Sequence, residues 1–319
     1  MTGRWKRAVP MAFALGLLLV AGPRAQQASP LETLPVHGQV SLVTGGGANA
    51  LVQVGSQGVL VVDTLTADLS DALLASIRAL AGSKPIAYIV NTHAHPDHTG
   101  GNLKVAAAGA QLVSGNFAAQ LGGAGTKSAF IVAHENVLNV LSGAAGGPAV
   151  PVGAWPTDTF FQEEKTMYYN GEGIQLVYEP AAHTDGDILV FFRSSDVIAA
   201  GDVFDTTAFP RIDLARKGSI NGIIEALNRL IDLAISEQFT EGGTRIVPGH
   251  GRITDEFDVV EYRDMMTIIR DRVQAMAKKG MTLEQITAAH PAFEYEPRYA
   301  RSAPQATTAL VESIYRTLK

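Results

Sequence analysis

The sequence predicts an α+β fold, a four-layer αββα sandwich in which two β-sheets pack face to face and helices cover their outer surfaces. The first observation is that each half of the 319-residue chain holds a run of short β-rich segments followed by helical periodicity. The second is composition: hydrophobic residues make up 46% of the chain and charged residues 18%, which suits a large buried core. The third is a cluster of histidines directly after an apolar strand.

The first 25 residues have the pattern of a signal peptide. Arg4, Lys6 and Arg7 precede the apolar stretch 11–21, which is shorter than the roughly 20 residues that a membrane-spanning helix needs. We therefore expect a periplasmic or secreted protein that has no membrane association once the leader is removed. A membrane-held form with an uncleaved leader is the alternative.

Charge and cysteine content limit the function classes. The predicted leader contains four basic residues and no acidic ones, so the remainder has 21 basic and 31 acidic residues and a net charge of -10. An acidic protein is a poor partner for nucleic acid. The chain has no cysteine, so any bound metal must have nitrogen and oxygen ligands.

The first half of the remaining chain predicts hairpins, then a helix and a buried strand. The predicted segments are strands at 36–43, 50–55, 58–63 and 86–90 and a helix at 65–81. Residues 103–108 and 116–121 are predicted as short helices around a strand at 111–114. The Gly- and Ala-rich stretch 122–155 has few periodic cues, which indicates a variable insertion that covers the site or extends from the surface.

The second half repeats this order. The predicted strands are 160–161, 167–169, 174–178, 188–192, 197–200 and 245–247, and the predicted helices are 220–235, 259–278, 282–289 and 307–318. We therefore expect one domain over residues 30–319, with a core at 36–255 and a C-terminal helical segment at 256–319.

The segment after strand 86–90 concentrates groups that bind metals. It contains His93, His95, Asp97 and His98 within six positions. Pro96 disfavours a helix at His95 and removes a backbone donor, so we expect these side chains to project from a loop in different directions. Imidazole and carboxylate groups clustered on one turn are ligands that zinc prefers.

The pattern His-x-His-x-Asp-His after a strand resembles the signature of the metallo-β-lactamase superfamily. Four further segments match the other motifs of that family in order, and they contain Asp63, His183, Asp202 and His250. The resemblance extends over residues 63–250 and implies a sandwich of the metallo-β-lactamase type. It also implies two metal sites: His93, His95 and His183 at one, Asp97, His98 and His250 at the other, and Asp202 bridging them.

Several acidic residues receive roles from the same resemblance. Asp97 and Asp202 are predicted to be catalytic, and Asp97 is expected to orient the attacking water or to transfer a proton. Asp63 is expected to support the metal-binding loop without binding metal. Asp185 and Asp187 flank His183 and are expected either to fix its ring through hydrogen bonds or to cap a turn.

The resemblance implies a hydrolase with two Zn²⁺ per chain, iron or manganese being possible substitutes, that acts on a small-molecule ester, lactone, thioester or amide. Together with the predicted leader, this makes it an exported enzyme. The aspartate at position 202 resembles the residue that glyoxalase II and lactonases have at the matching position, whereas the commonest metallo-β-lactamases have cysteine there. Asp205 stands where those enzymes have a lysine that binds the carboxylate of the antibiotic. β-Lactam hydrolysis and a di-iron redox function are the alternatives. The sequence leaves the oligomeric state open.

Overall fold

A computed structural model of the protein describes residues 1–2, 30–110, 128–239, 242–301, 303 and 305–318. The predicted signal peptide lies outside the described residues except for its first two. The predicted strand 111–114, the predicted helix 116–121 and the beginning of the stretch 122–155 also lie outside them.

The first sheet follows the order of the chain. Its strands are β1 (Glu32–His37), β2 (Val40–Gly45), β3 (Ala48–Val54), β4 (Val59–Val62), β5 (Ile86–Val90), β6 (Phe130–His134) and β7 (Asp158–Phe160). Strands β1 to β4 are antiparallel neighbours joined by short turns. Strands β4 to β7 run parallel, so the segments between them must cross over one face of the sheet.

The second sheet is mainly antiparallel. Its strands are β8 (Glu164–Tyr169), β9 (Glu172–Glu179), β10 (Asp187–Phe192), β11 (Val197–Asp205) and β12 (Arg245–His250). Only the pair β11 and β12 is parallel within this sheet. A helix lies between these two strands in sequence, as a parallel connection requires.

The described helices lie outside the two sheets. They are α1 (Ser70–Ala81), α2 (Pro96–Thr99), α3 (Asn102–Ala107), α4 (Glu135–Leu141), α5 (Ile220–Leu233), α6 (Glu256–Lys278), α7 (Leu283–Ala288), α8 (Glu296–Tyr299) and α9 (Gln305–Thr317). None of the helices in the described part of the chain is long and apolar enough to cross a membrane.

Side-chain alternation separates the layers. In β4, Leu60 and Val62 pack between the two sheets, whereas Val59 and Val61 pack against α1 and α3. In the second sheet, Leu176 of β9 faces the other sheet and Val177 faces α5 and α6. Because successive side chains of a strand point to opposite faces, each sheet contributes to two cores. The predicted αββα sandwich is confirmed.

Three local predictions were wrong. The stretch 122–155 is not simply an insertion, since its described part includes β6, an interior strand of the first sheet, and α4. The strand predicted at 160–161 ends at Phe160 and is the edge of the first sheet, not the start of the second. Pro96 keeps His95 extended, as predicted, but the expectation that all four side chains project from a loop was wrong. Pro96 begins the short helix α2, which carries Asp97 and His98, because a helix leaves its first N–H groups unpaired and proline lacks that group.

Candidate metal centre

The histidines and carboxylates predicted as ligands meet at one end of the sandwich. The loop after β5 supplies His93 and His95, and the helix α2 that follows it supplies Asp97 and His98. The β9–β10 loop supplies His183, and β11 and β12 supply Asp202 and His250. A backbone hydrogen bond of 2.9 Å from Ile188 to the carbonyl of Thr92 joins the two sheets beside this point. The site therefore exists only when the two halves of the chain pack together.

The seven side chains form two groups that share Asp202. One group is His93, His95, His183 and Asp202, and the other is Asp97, His98, His250 and Asp202. Within each group, one candidate ligand atom per residue lies within 4.8 Å of every other. The grouping matches the two predicted sets of ligands, and the binding of metal by these residues stays a prediction.

Asp202 faces each group with a different carboxylate oxygen. Its Oδ2 lies 3.5 Å from Nε2 of His183 and 3.8 Å from Nε2 of His93. Its Oδ1 lies 3.2 Å from Nε2 of His98 and 3.3 Å from Nε2 of His250. A carboxylate in this orientation can bridge two cations.

Gly249 allows this carboxylate to occupy its position. A Cβ atom added at Gly249 would overlap Oδ1 of Asp202. Residue 249 precedes His250 at the end of β12, next to the irregular pairing of β11 and β12 that begins at Gly201. The absence of a side chain at 249 thus keeps open the space that Asp202 uses.

Three atoms in the centre are buried and have no hydrogen-bond partner: Nε2 of His93, Nε2 of His98 and Oδ1 of Asp202. Buried polar atoms in folded proteins are almost always paired, since an unpaired one costs about 1 to 3 kcal/mol. All three point into the two groups. A cation in each group would satisfy them, so the residues present fit bound metal ions.

Every histidine is held through the ring nitrogen that does not face the site. Nδ1 of His98 donates to Oδ2 of Asp63 over 2.8 Å. Nδ1 of His183 donates to the carbonyl of Arg211, and Nδ1 of His250 donates to the carbonyl of Gly47. These bonds place the proton on Nδ1 and leave Nε2 free as a ligand.

Asp63 also fixes His93, through a threonine. Its two oxygens accept hydrogen bonds from the backbone N–H and the hydroxyl of Thr92, at 2.8 and 2.7 Å. Because the Thr92 hydroxyl donates its proton to Asp63, its oxygen is available to accept from Nδ1 of His93, 3.1 Å away. Asp63 occupies the left-handed region at φ +60°, which is unfavourable for a residue other than glycine. It lies outside both groups, and its carboxylate accepts hydrogen bonds from Thr92 and from the predicted ligand His98.

Sequence reasoning missed Asp213. Its Oδ2 accepts a hydrogen bond of 3.0 Å from Nε2 of His95, and this leaves Nδ1 of His95 facing the site, 2.8 Å from Nε2 of His183. Asp213 also accepts from the backbone N–H of Arg216, which fixes its own position. It belongs to no motif and lies 118 residues after His95, so no local pattern indicates its role.

Asp185 and Asp187 do not contact the ring of His183. The carboxylate of Asp187 accepts from the backbone N–H and the hydroxyl of Thr184, at 2.7 and 2.6 Å, and so caps the turn. Asp185 forms an ion pair with Lys217 at 3.1 Å. Asp187 therefore has the second of its two predicted roles, the capping of a turn. The ring of His183 is fixed by the carbonyl of Arg211 instead.

The charges differ between the two groups. Burial lowers the pKa of His93 and lowers that of His183 to about 4, so both rings are neutral, as metal ligands must be. Burial also opposes protonation of His250, but the adjacent carboxylates of Asp202 and Asp97 raise its pKa to about 10. The hydrogen bond with His250 is the main reason that the pKa of Asp97 falls to about 2. A cation bound at this group would replace the proton of His250.

Comparison with known proteins agrees with this geometry. The family model described as the metallo-beta-lactamase superfamily matches residues 43–250. A curated relative, 2,4-dinitroanisole O-demethylase subunit alpha from Nocardioides sp. (strain JS1661), is 24% identical over 194 residues, which cover 60% of this chain and 52% of the relative. This chain therefore spans about half the length of that protein.

Solved structures show the same fold. The sec-alkylsulfatase Pisa1 from Pseudomonas sp. is similar with a TM-score of 0.62 and 16% identity, over 90% of this chain and 50% of that one. A metallo-beta-lactamase from Pontibacter korlensis is similar with a TM-score of 0.53 and 19% identity, over 74% of this chain and 99% of that one. At these identities the likeness establishes the fold alone.

Proposed function

Because the chain belongs to the metallo-β-lactamase superfamily, we propose that it is a hydrolase in which two metal ions, zinc in the first instance, occupy the two ligand groups. The bond that it cleaves would be that of an ester, lactone, thioester or amide. The observation that carries the proposal is Asp202, whose two oxygens face two complete groups of nitrogen and oxygen ligands. Three buried unpaired atoms point into the same groups.

Bound metal ions would lower the pKa of water toward about 7 and polarise the scissile carbonyl. The residues of the chain provide the rest of the chemistry. Asp202 is 8% exposed, so its carboxylate holds the two groups together in a site from which water is largely excluded. His93, His98 and His183 are buried and fixed by their second ring nitrogens, which keeps the ligand geometry unchanged during turnover.

Asp97 is suited to handle the proton of the attacking water. Its side chain is 28% exposed, in contrast to the 8% of Asp202, and its Oδ2 lies 3.4 Å from Nε2 of His250. Its pKa of about 2 keeps it ionised at neutral pH. An ionised carboxylate at the solvent side of the centre can accept a hydrogen bond from water and orient it for attack.

The surroundings of Asp205 favour these substrates over β-lactams. Its Oδ1 accepts hydrogen bonds from the backbone N–H and the hydroxyl of Thr207 and from the N–H of Ala208, at 2.6, 2.7 and 3.1 Å. This holds an acid at the position where the antibiotic-degrading relatives have a lysine, and burial raises its pKa. An acid there cannot attract the carboxylate of a β-lactam.

We further propose that the enzyme is exported. The support is the sequence of residues 1–25, with three basic residues before an apolar stretch too short to span a membrane. Fractionation of the native host, with amino-terminal sequencing of the mature protein, tests this. Recovery of the intact leader in the cytoplasmic fraction would contradict it.

The test of the catalytic proposal combines metal analysis with assays. We expect two equivalents of zinc per chain and hydrolysis of a lactone or thioester that stops after chelation and returns with zinc. A chromogenic β-lactam, an alkyl sulfate and 2,4-dinitroanisole complete the panel, because proteins similar to this chain are named for such compounds. One metal equivalent, or full metal content with no hydrolysis of any substrate, would contradict the proposal.

A further inference from the structure

An apolar cavity of about 340 Å³ lies beside the candidate metal centre. One wall is α4, which contributes Val137, Val140 and Leu141, and the facing wall is the turn that contains Pro148 and Val150. We call this space the α4 cavity. His95, a predicted metal ligand, lines it as well, so its occupant would lie directly next to the metal centre.

The walls of the α4 cavity are packed from behind. Val137 and Leu141 are buried and form a cluster with Ala133, and Trp155 packs against that cluster. The indole N–H of Trp155 donates to the carbonyl of Val150 over 2.9 Å, which ties the turn to the cluster. The cavity is therefore a formed feature of the fold with a supported wall.

The acidic groups at the cavity already have partners. Asp185 pairs with Lys217 at 3.1 Å, and Asp213 accepts from His95 at 3.0 Å. Arg216, half-buried, also lines the cavity and disfavours a cationic occupant. What remains for an occupant is mainly aliphatic surface.

We propose that the α4 cavity binds an apolar alkyl or aryl group of the substrate, next to the bond that is cleaved. This inference rests on the proposed hydrolase function and adds the substrate class. At about 30 Å³ for each water-sized unit, the cavity holds about ten non-hydrogen atoms. A substrate with a medium-length acyl chain or a single aromatic ring fits this volume.

The size of the cavity predicts how kcat/KM depends on the length of the acyl chain of the substrate. Burying one methylene group contributes about 0.8 kcal/mol, equivalent to an about fourfold gain in kcat/KM for each added carbon. The gain should end when the chain fills the cavity. In a series of 4-nitrophenyl acetate, butyrate, hexanoate, octanoate and dodecanoate, kcat/KM should therefore rise steeply from the acetate to the octanoate and level off before the dodecanoate.

A filling substitution and a matched control test the location. Val140→Phe places a larger side chain in the cavity from a half-buried position of α4. Val152→Phe makes the same change at a residue that is 73% exposed and does not line the cavity. Val140→Phe should abolish the rise from acetate to octanoate, whereas Val152→Phe should retain the wild-type dependence, with both melting temperatures near that of wild type.

Binding without catalysis separates this inference from the function on which it rests. Trp155 packs behind the cavity wall, and the other tryptophan, Trp5, lies in the predicted leader. In protein purified without residues 1–25, the emission of Trp155 therefore reports on the cavity. Butanol, hexanol and octanol should shift this emission with affinities that rise about fourfold per methylene, and Val140→Phe should remove the response.

The outcomes distinguish the two proposals. If alkanols bind in this manner but no ester, lactone or thioester is hydrolysed, the catalytic proposal fails and the apolar site stands. If hydrolysis occurs but kcat/KM and alkanol affinity do not depend on chain length, or if Val140→Phe and Val152→Phe behave alike, the assignment of the cavity is wrong.

Discussion

Asp213→Asn tests whether a residue outside all the sequence motifs positions a metal ligand. Asp213 is 26% exposed and accepts a hydrogen bond of 3.0 Å from Nε2 of His95, which is 18% exposed. This bond keeps the proton of His95 on Nε2 and leaves Nδ1 toward the other ligands. Asparagine retains the shape but loses the negative charge that favours this tautomer.

The expected loss of zinc affinity in Asp213→Asn follows from the role of the hydrogen bond between Asp213 and His95 and from its exposure to solvent. Loss of a group that orients a metal-binding histidine typically lowers metal affinity about 10- to 100-fold. Because solvent reaches both Asp213 and His95, we expect the lower end of this range, about tenfold or about 1.4 kcal/mol. The melting temperature without metal should change little, since the bond lies at the edge of the core.

The assay is zinc competition against a chelating dye, carried out on wild type, Asp213→Asn and Asp185→Asn. Asp185 is the matched control, because it lies in the loop of His183 but pairs only with the exposed Lys217. We expect Asp213→Asn alone to weaken one of the two zinc equivalents. Wild-type affinity for both equivalents in Asp213→Asn, or an equal loss in Asp185→Asn, would refute the role assigned to Asp213.

Three further predictions concern the catalytic role of Asp97, the space that Gly249 leaves for Asp202, and the pH dependence of stability. Asp97→Ala should fold normally yet lose about 10²-fold or more in turnover at saturating zinc; unchanged turnover with full metal content would rule out its role with water. Gly249→Ala should lower zinc content and melting temperature, because the new Cβ overlaps the carboxylate of Asp202, whereas Gly173→Ala, whose nearest contact would be 3.7 Å away, is the control; full zinc retention in Gly249→Ala would contradict this. Burial raises the pKa of Glu179 from 4.5 to about 8, so its contribution to stability is complete below pH 4.5 and is lost as the pH rises through 8. In urea unfolding, the free energy of unfolding of wild type should fall by roughly 2 to 4 kcal/mol between about pH 5 and pH 9, and this fall should be absent in Glu179→Gln. An unchanged pH dependence in Glu179→Gln would show that another group is responsible.

The clustering of the candidate ligands could be predicted because their chemistry is concentrated in sequence. His93, His95 and His98 occur within six residues after an apolar strand, and few structural roles need that combination. The fold class followed from runs of short strands that helices follow in the sequence. In β4, for example, Val59 to Val62 are all apolar because both faces of the strand are covered. Such signals depend only on residues that are close together in the chain.

The groups that fix the ligands could not be predicted in the same way. Gly47 and Arg211 act through backbone carbonyls, which carry no side-chain signature, and they contact His250 and His183 from 203 and 28 residues away. Asp213 has a suitable side chain but no local pattern. Strand β6 was missed because glycine- and alanine-rich segments surround it, and a short buried strand has no periodicity of its own.

The arrangement predicts that metal binding by this protein is coupled to its folding. Asp63, Asp213 and two carbonyls fix the histidines from separate segments, so the ligand geometry depends on the packing of both sheets and not on the cations. That packing leaves Nε2 of His93 buried without a hydrogen-bond partner, at a cost of about 1 to 3 kcal/mol, and it holds Nε2 of His98 3.2 Å from Oδ1 of Asp202 without a hydrogen bond of good geometry. The unfolded chain does not bear this cost, because water hydrates the same atoms. Cations that satisfy these atoms therefore bind the folded state selectively, and their binding energy adds to the stability of the fold.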